Sequence, residues 1–307
     1  MDSKCAAFWH HTNIRSDNRI FPCCRFKEPV ATFHGTVDNI LLLPEYVQLR
    51  KQSSEGEYIS SCQKCYKEES QGKQSLRQVF NKEYNTDTVS LEYLEIGFDN
   101  ICNLTCDGCW EEFSSEWGKK LMVVKSKIVK STAEFTQISD TISKVLFLGG
   151  EPLMTTRHQK FLESFNDLSK LTVIYNTNGT FLLDDKTINI LNQCKSAEFI
   201  VSIDGYADLN SRVRPGSNWK DILLLIDQIK SLQFKLSVHS VIHLNNWKGL
   251  KELSKFVKSL DVNWTVNVLT YPHRLDIINI ENKQEFISLI ESIDVPTKEY
   301  IIAHVKI

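Results

Sequence analysis

The sequence is short of net charge: 36 Lys and Arg stand against 38 Asp and Glu, a formal balance of −2. It therefore lacks the basic excess that marks a nucleic-acid or anionic-membrane partner. No run approaches the ~18 apolar residues of a membrane span. Met1–His11 also lacks the basic-then-apolar layout of an export signal. The expectation is a cytoplasmic protein with neither membrane nor nucleic acid as partner. Hydrophobic residues at 42% and charged residues at 24% exclude a disordered or collagen-like chain. The 307 residues suit one large α/β domain with room for a small extra module.

Cysteine is plentiful. There are nine: Cys5, Cys23, Cys24, Cys62, Cys65, Cys102, Cys106, Cys109 and Cys194. An odd count without an export signal argues against a disulfide framework, and tight spacing in a reducing compartment points to metal. Residues 1 to about 88 are irregular, with paired cysteines and a polar stretch from Gln52 to Ser75. Such a segment needs a metal staple.

From Leu91 onward, strand-length apolar runs alternate with helical spacing, the pattern of βα units around a parallel sheet. Strands are expected at Tyr93–Phe98, Lys144–Leu148, Leu171–Asn176, Glu198–Ile203, Lys235–His243 and Trp264–Leu269. Helices are expected at Ala133–Ser143, Arg157–Leu168, Asp185–Gln193, Trp219–Leu232, Trp247–Leu260 and Lys283–Ile293. Six such units predict an α/β fold, a partial (β/α)6 barrel resembling a short TIM barrel, with a doubly wound open sheet as the competing topology. Asn176, Ser202, His239, His243, Asn263, Thr265 and Asn267 fall at alternate strand positions. A polar face opposite an apolar one favours a barrel with a polar ligand inside, and His239, His243, Asn263 and Asn267 are candidate substrate contacts.

The sharpest signal is Cys102-Asn-Leu-Thr-Cys106-Asp-Gly-Cys109, just after the first expected strand. Three adjacent thiolates can bind three irons of a cubane [4Fe–4S] cluster, whereas a closed structural site takes four ligands. No fourth Cys or His follows nearby. One iron would keep an open position. Zinc completed by a distant residue is the alternative.

With Leu148-Gly149-Gly150-Glu151-Pro152, Asn176-Thr177-Asn178-Gly179, Ser202-Ile203-Asp204-Gly205 and Arg214-Pro215-Gly216 at successive strand ends, the chain resembles the radical S-adenosylmethionine (radical SAM) superfamily. The resemblance implies that SAM chelates the open iron. Gly149, Gly150, Glu151, Ser202, Asp204 and Arg214 would then contact the cofactor, Glu151 accepting from its amine and Arg214 holding its carboxylate. One electron into the cluster would cleave a C–S bond of SAM, giving methionine and a 5′-deoxyadenosyl radical that abstracts a substrate hydrogen. The sequence departs from the family at Gly108, where a bulky residue usually packs on adenine; Trp110 lies one place past Cys109.

The N-terminal Cys5-Ala-Ala-Phe-Trp-His-His, Arg19-Ile-Phe-Pro-Cys23-Cys24 and Cys62-Gln-Lys-Cys65 segments resemble SPASM or twitch modules, which hold an auxiliary iron–sulfur cluster but usually follow the barrel. The resemblance implies a second [4Fe–4S] cluster on Cys5, Cys23, Cys62 and Cys65, with Cys24 spare or replacing Cys23. Structural zinc is the alternative. Cys194 is expected to be a small buried hydrophobe. The domains are then 1–88 (auxiliary module), 89–295 (radical SAM barrel) and 296–307 (tail).

Members with such modules often modify peptides or proteins as oxidoreductases, and that is the leading expectation, with a flavodoxin or ferredoxin as electron donor. The same chemistry on a small metabolite, nucleotide or sugar is the second. A non-catalytic iron–sulfur or zinc protein for binding or electron transfer is the third, for which the Gly149-Gly150-Glu151 loop has no use.

Overall fold

The computed structural model describes residues 3–34, 37, 39–121 and 140–306. The fold is α/β with a mostly parallel sheet. Its strands are β1 His11–Ile14, β2 Arg19–Phe21, β3 Ala31–Thr32, β4 Tyr93–Gly97, β5 Lys144–Leu148, β6 Thr172–Thr177, β7 Ser196–Ser202, β8 Lys235–Ile242 and β9 Asn263–Val268. Among the described residues, no helix is long and apolar enough to cross a membrane.

The chain divides into two compact units. The first comprises Met1–Asp99, Val129–Ile174 and Lys186–Ala197; the second comprises Asn100–Ile128, Tyr175–Asp185 and Glu198–Ile307. In the first unit β1 pairs with β4 in parallel, His11 opposite Tyr93 and Ile14 opposite Ile96. β2 and β3 continue outward from β1 in antiparallel order. By its sequence this segment is expected to be irregular. His11, Thr12 and Asn13 are polar yet fully buried, so β1 shows no apolar run or alternation. The segment also owns an apolar cluster that includes Phe8, Trp9, Phe21, Phe26, Leu49 and Phe80.

On the other side of β4, β5 pairs in parallel from Tyr93↔Lys144 to Gly97↔Leu148. Val145 and Phe147 are buried at alternate positions, as a strand with one core face requires. Phe161, on helix Arg157–Leu162, meets Phe147 edge-on at 5.9 Å and Phe98 at 5.7 Å. That helix ends short of the expected Leu168, because Asp167 caps a separate turn, Leu168–Lys170, by accepting from the Ser169 amide. The expected helix Ala133–Ser143 lies outside the described residues except for 140–143, which are non-helical.

In the second unit β7, β8 and β9 are parallel neighbours, with Ser202↔His239 and His239↔Thr265 in register. Helix Trp219–Ser231 buries Ile222, Leu225, Ile226 and Ile229, the i, i+3, i+4, i+7 spacing of one helical face. Helix Leu250–Leu260 buries Leu250, Leu253, Ser254 and Val257 in the same way. Tyr175 and Phe199 stack at 5.0 Å and continue to Phe234 at 6.0 Å. Helix Lys298–Lys306 forms in the tail, where the sequence predicts no element.

Candidate active site

The loop after β4 carries Cys102, Cys106 and Cys109, and hydrogen bonds within the second unit hold it. The Ser115 hydroxyl lies 3.2 Å from both the Cys102 amide, from which it accepts, and the Cys102 carbonyl, to which it donates. Ser114 Oγ donates to the Leu104 carbonyl at 2.6 Å, and Trp117 Nε1 donates to the Cys106 carbonyl at 3.0 Å. Ser114 also caps helix Ser115–Lys120, whose first turn thereby becomes the loop's support. None of these three residues belongs to the cysteine motif, and their only sequence signal is a Ser before a short helix.

Residues after β6 hold the loop from another side. Asn178 Nδ2 donates to Asn103 Oδ1 at 2.8 Å and lies 3.9 Å from Cys102 Sγ, while Asn103 Nδ2 donates to Thr180 Oγ1 at 2.9 Å. The Leu104 amide also points at Cys102 Sγ, at 3.5 Å. Gly179 takes φ +80°, and a Cβ there would stand 2.9 Å from Val201. The thiols feel one another. Burial pushes Cys106 up to about 11, with Arg214 opposing and Asp204 and Cys102 adding. Burial pushes Cys109 up to about 12, helped by Cys106 and Cys102. Cys106 and Cys109 are therefore costly to ionise alone, and bound cations would supply the missing positive charge. The donor set thus fits an iron–sulfur cluster. Among the described residues no three His, Cys, Asp or Glu side chains close on a single small ion.

The other expected cofactor contacts fall into two groups. In the second unit, Arg214 Nη1 pairs with Asp204 Oδ2 at 2.7 Å. Ser202 Oγ lies 3.4 Å from Asn176 Oδ1 on an open strand face. In the first unit, the Gly150 amide donates to the Asp99 carbonyl at 3.0 Å. Gly149 has φ +122°, and a Cβ on it would meet that carbonyl at 2.6 Å, so only glycine fits. Glu151 is 1% exposed, and its Oε1 accepts from the Leu153 amide at 3.1 Å, capping the turn Pro152–Met154.

Of the candidate substrate contacts, His239 meets Thr265 Oγ1 at 2.8 Å and Asn267 Nδ2 at 3.3 Å, on the strand face that Ser202 shares. His243 is different. It is buried, its Nδ1 accepts from the Asn245 amide at 3.3 Å, and burial lowers its basicity. Asn263 stands exposed at the start of β9. At Gly108 a Cβ would come within 3.1 Å of Leu269 Cδ1, so Leu269 occupies the room that a larger residue would take. Trp110 is edge-on to Phe113 at 5.3 Å and to Tyr271 at 5.5 Å.

In the first unit, Cys5, Cys23, Cys62 and Cys65 line one small cavity with Arg77 and Phe80. Burial, then the thiols of Cys62 and Cys65, push Cys5 up to about 12; burial and Cys65 do the same to Cys62. Cys24 is turned elsewhere: its thiol hydrogen-bonds the buried Glu95 carboxylate, which also accepts from Asn13 Nδ2 at 2.7 Å. Cys194 is half-buried and donates to the Ile190 carbonyl at 3.5 Å.

No curated protein matches the chain. Among solved structures it is similar to Streptococcus suis SuiB bound to S-adenosylmethionine, at 15% identity and TM-score 0.44, over 80% of this chain and 48% of that one. It is also similar to anSMEcpe with bound AdoMet, at 17% identity and TM-score 0.46, over 65% of this chain and 60% of that one. The chain thus spans about half to three-fifths of the length of these structures. The family description "Radical SAM superfamily" matches residues 97–257, more than half of the 307, taking in the cysteine loop, the Gly149-Gly150-Glu151 turn and β5 to β8. This chain belongs to the radical SAM superfamily.

Proposed function

We propose that the chain is an enzyme that holds a [4Fe–4S] cluster on Cys102, Cys106 and Cys109 and binds SAM at the iron those thiols leave open. The observation that carries this reading is the gathering of three interacting thiols on one braced loop inside the family match. When bound, the cluster and SAM together supply a 5′-deoxyadenosyl radical able to take hydrogen from an unactivated C–H bond.

The protein's own share is placement. Asn178, Ser115 and Trp117 fix the thiols. Gly149 and Gly150 let backbone approach a ligand, with Glu151, Ser202, Asp204 and Arg214 as SAM contacts. The sheet is read as the family's partial (β/α)6 barrel, with 1–88 as an auxiliary module and 296–307 as a tail. The open row of Asn176, Ser202, His239, Thr265 and Asn267 offers amide, hydroxyl and imidazole groups. That chemistry suits the backbone amides of a peptide or protein substrate, oxidised or otherwise modified at one residue. We assign Cys5, Cys23, Cys62 and Cys65 to a second [4Fe–4S] cluster, supported by their shared cavity. A cytoplasmic flavodoxin or ferredoxin would supply electrons.

The test is anaerobic reconstitution with iron and sulfide, then dithionite and SAM. The expected products are 5′-deoxyadenosine and methionine; their absence from a fully loaded protein contradicts the reading. Cys62→Ala is expected to lower bound iron by about half, one of two four-iron clusters being lost. It should leave simple SAM cleavage in place, as iron analysis beside the same assay would show.

A further inference from the structure

Cys106 and Arg214 are far apart in sequence and directly opposed in the fold. The Asp107 amide donates to the Val213 carbonyl at 2.9 Å, and the Thr105 amide donates to the Pro215 carbonyl at 3.0 Å. These bonds bracket Cys106 and Arg214 as an antiparallel ladder brackets a non-hydrogen-bonded pair, the position where facing side chains come closest. Pro215 has no N–H, so this clasp has no further donor on that side. Gly216 keeps it shut. Its φ is +101°, and a Cβ there would lie 2.6 Å from the Asn103 carbonyl.

The Arg214 side chain is 12% exposed and spends Nη1 on Asp204 at 2.7 Å. Its Nε is buried with no hydrogen-bond partner among the described residues. A buried guanidinium N–H without an acceptor is costly, and native proteins keep few of them. Asp204 is itself immobilised. Its Oδ1 accepts from the Val241 amide at 2.7 Å, its amide donates to Asn210 Oδ1 at 2.9 Å, and its carbonyl accepts from Asn246 Nδ2 at 2.8 Å. The cation therefore has a fixed place across from Cys106.

We infer that Arg214, braced by Asp204, is a positioning residue for the Cys106 corner of the cluster, placing a buried positive charge against that thiolate so that the cluster accepts its electron more readily. The inference rests on the cluster proposed above and goes beyond it, since Arg214 acts here before any SAM is bound. Adding one electron makes the cluster more negative, and a fixed cation in a dry site favours the more negative state.

The test is an anaerobic redox titration of the reconstituted full chain without SAM, followed by EPR, with SAM affinity measured separately by equilibrium dialysis. Arg214→Gln is expected to shift the one-electron equilibrium about tenfold against the reduced cluster, ~59 mV lower. Asp204→Asn is expected to shift it the other way, because the opposing charge goes while Arg214 keeps its own. Arg214→Lys should stay near the wild-type value. A general loosening of the fold would move Arg214→Gln and Asp204→Asn in one direction, and that result overturns the inference. So does an unchanged potential in Arg214→Gln with weakened SAM binding, which would confine the guanidinium to the SAM carboxylate. Should Arg214→Gln fail to assemble a cluster, the sign of the Asp204→Asn shift decides alone. A wild-type chain with no iron on the three cysteines is a separate result: it overturns the proposed function and this inference together.

Discussion

Alanine at Cys106 is expected to abolish 5′-deoxyadenosine formation, a fall of more than about 100-fold, beyond the 10–100-fold typical of losing an outer partner of a metal ligand. The reason is arithmetic of ligands: three thiols hold three corners of a cubane, and no neighbouring His, Asp or Glu joins Cys102 and Cys109 among the described residues. The assay is product analysis after dithionite and SAM, with iron and sulfide counted on the same sample. Cys194→Ala is the control. That thiol donates to the Ile190 carbonyl of the preceding helix, Asp185–Leu191, so its loss should leave the product yield unchanged. Equal loss in both variants would separate activity from the cysteine loop.

Alanine at Gly216 is expected to destabilise the protein and to loosen the cysteine loop. The backbone there is left-handed, which costs a non-glycine residue about 1–3 kcal/mol. The new Cβ would also stand 2.6 Å from the Asn103 carbonyl and 3.0 Å from Leu104. Neither the carbonyl nor the segment 213–216 can shift without opening the clasp on Cys106. Denaturant unfolding should show that loss, and iron bound at the three-cysteine site should fall with it. Gly72 supplies the comparison, with φ +76° and nothing within 4 Å of its Cβ position. Gly72→Ala carries the conformational cost alone and should leave iron content intact. If the two variants behave alike, close approach at Gly216 is not what holds the clasp.

β5, β6 and β7 were legible because each alternates buried with more exposed residues, and Lys144–Leu148 coincides with its expected bounds. The motif order was legible because Gly149, Asn178 and Asp204 follow the ends of β5, β6 and β7, and Arg214 follows in the next loop. What escaped the sequence is instructive. β1 reads as His-Thr-Asn-Ile, and its polar groups are paid for by partners distant in sequence: Glu95 for Asn13, the Pro22 carbonyl for His11, the Tyr46 hydroxyl for Thr12. No local period announces such a strand. Likewise, nothing near Cys102 or Cys106 names Ser115, Trp117 or Arg214 as neighbours, since those contacts depend on how the chain returns. Packing divides the polar strand residues. His239 stays on the open face, and His243, next past the end of β8, turns inward to hold the following turn.

The most direct measurement is EPR of the anaerobically reconstituted chain, reduced with dithionite, with and without SAM. A cluster with one iron open to SAM predicts a [4Fe–4S]+ signal whose shape changes when SAM is added, and that component should vanish when Cys102, Cys106 and Cys109 are all replaced by alanine. Zinc at those three cysteines, or a signal indifferent to SAM, would contradict the account.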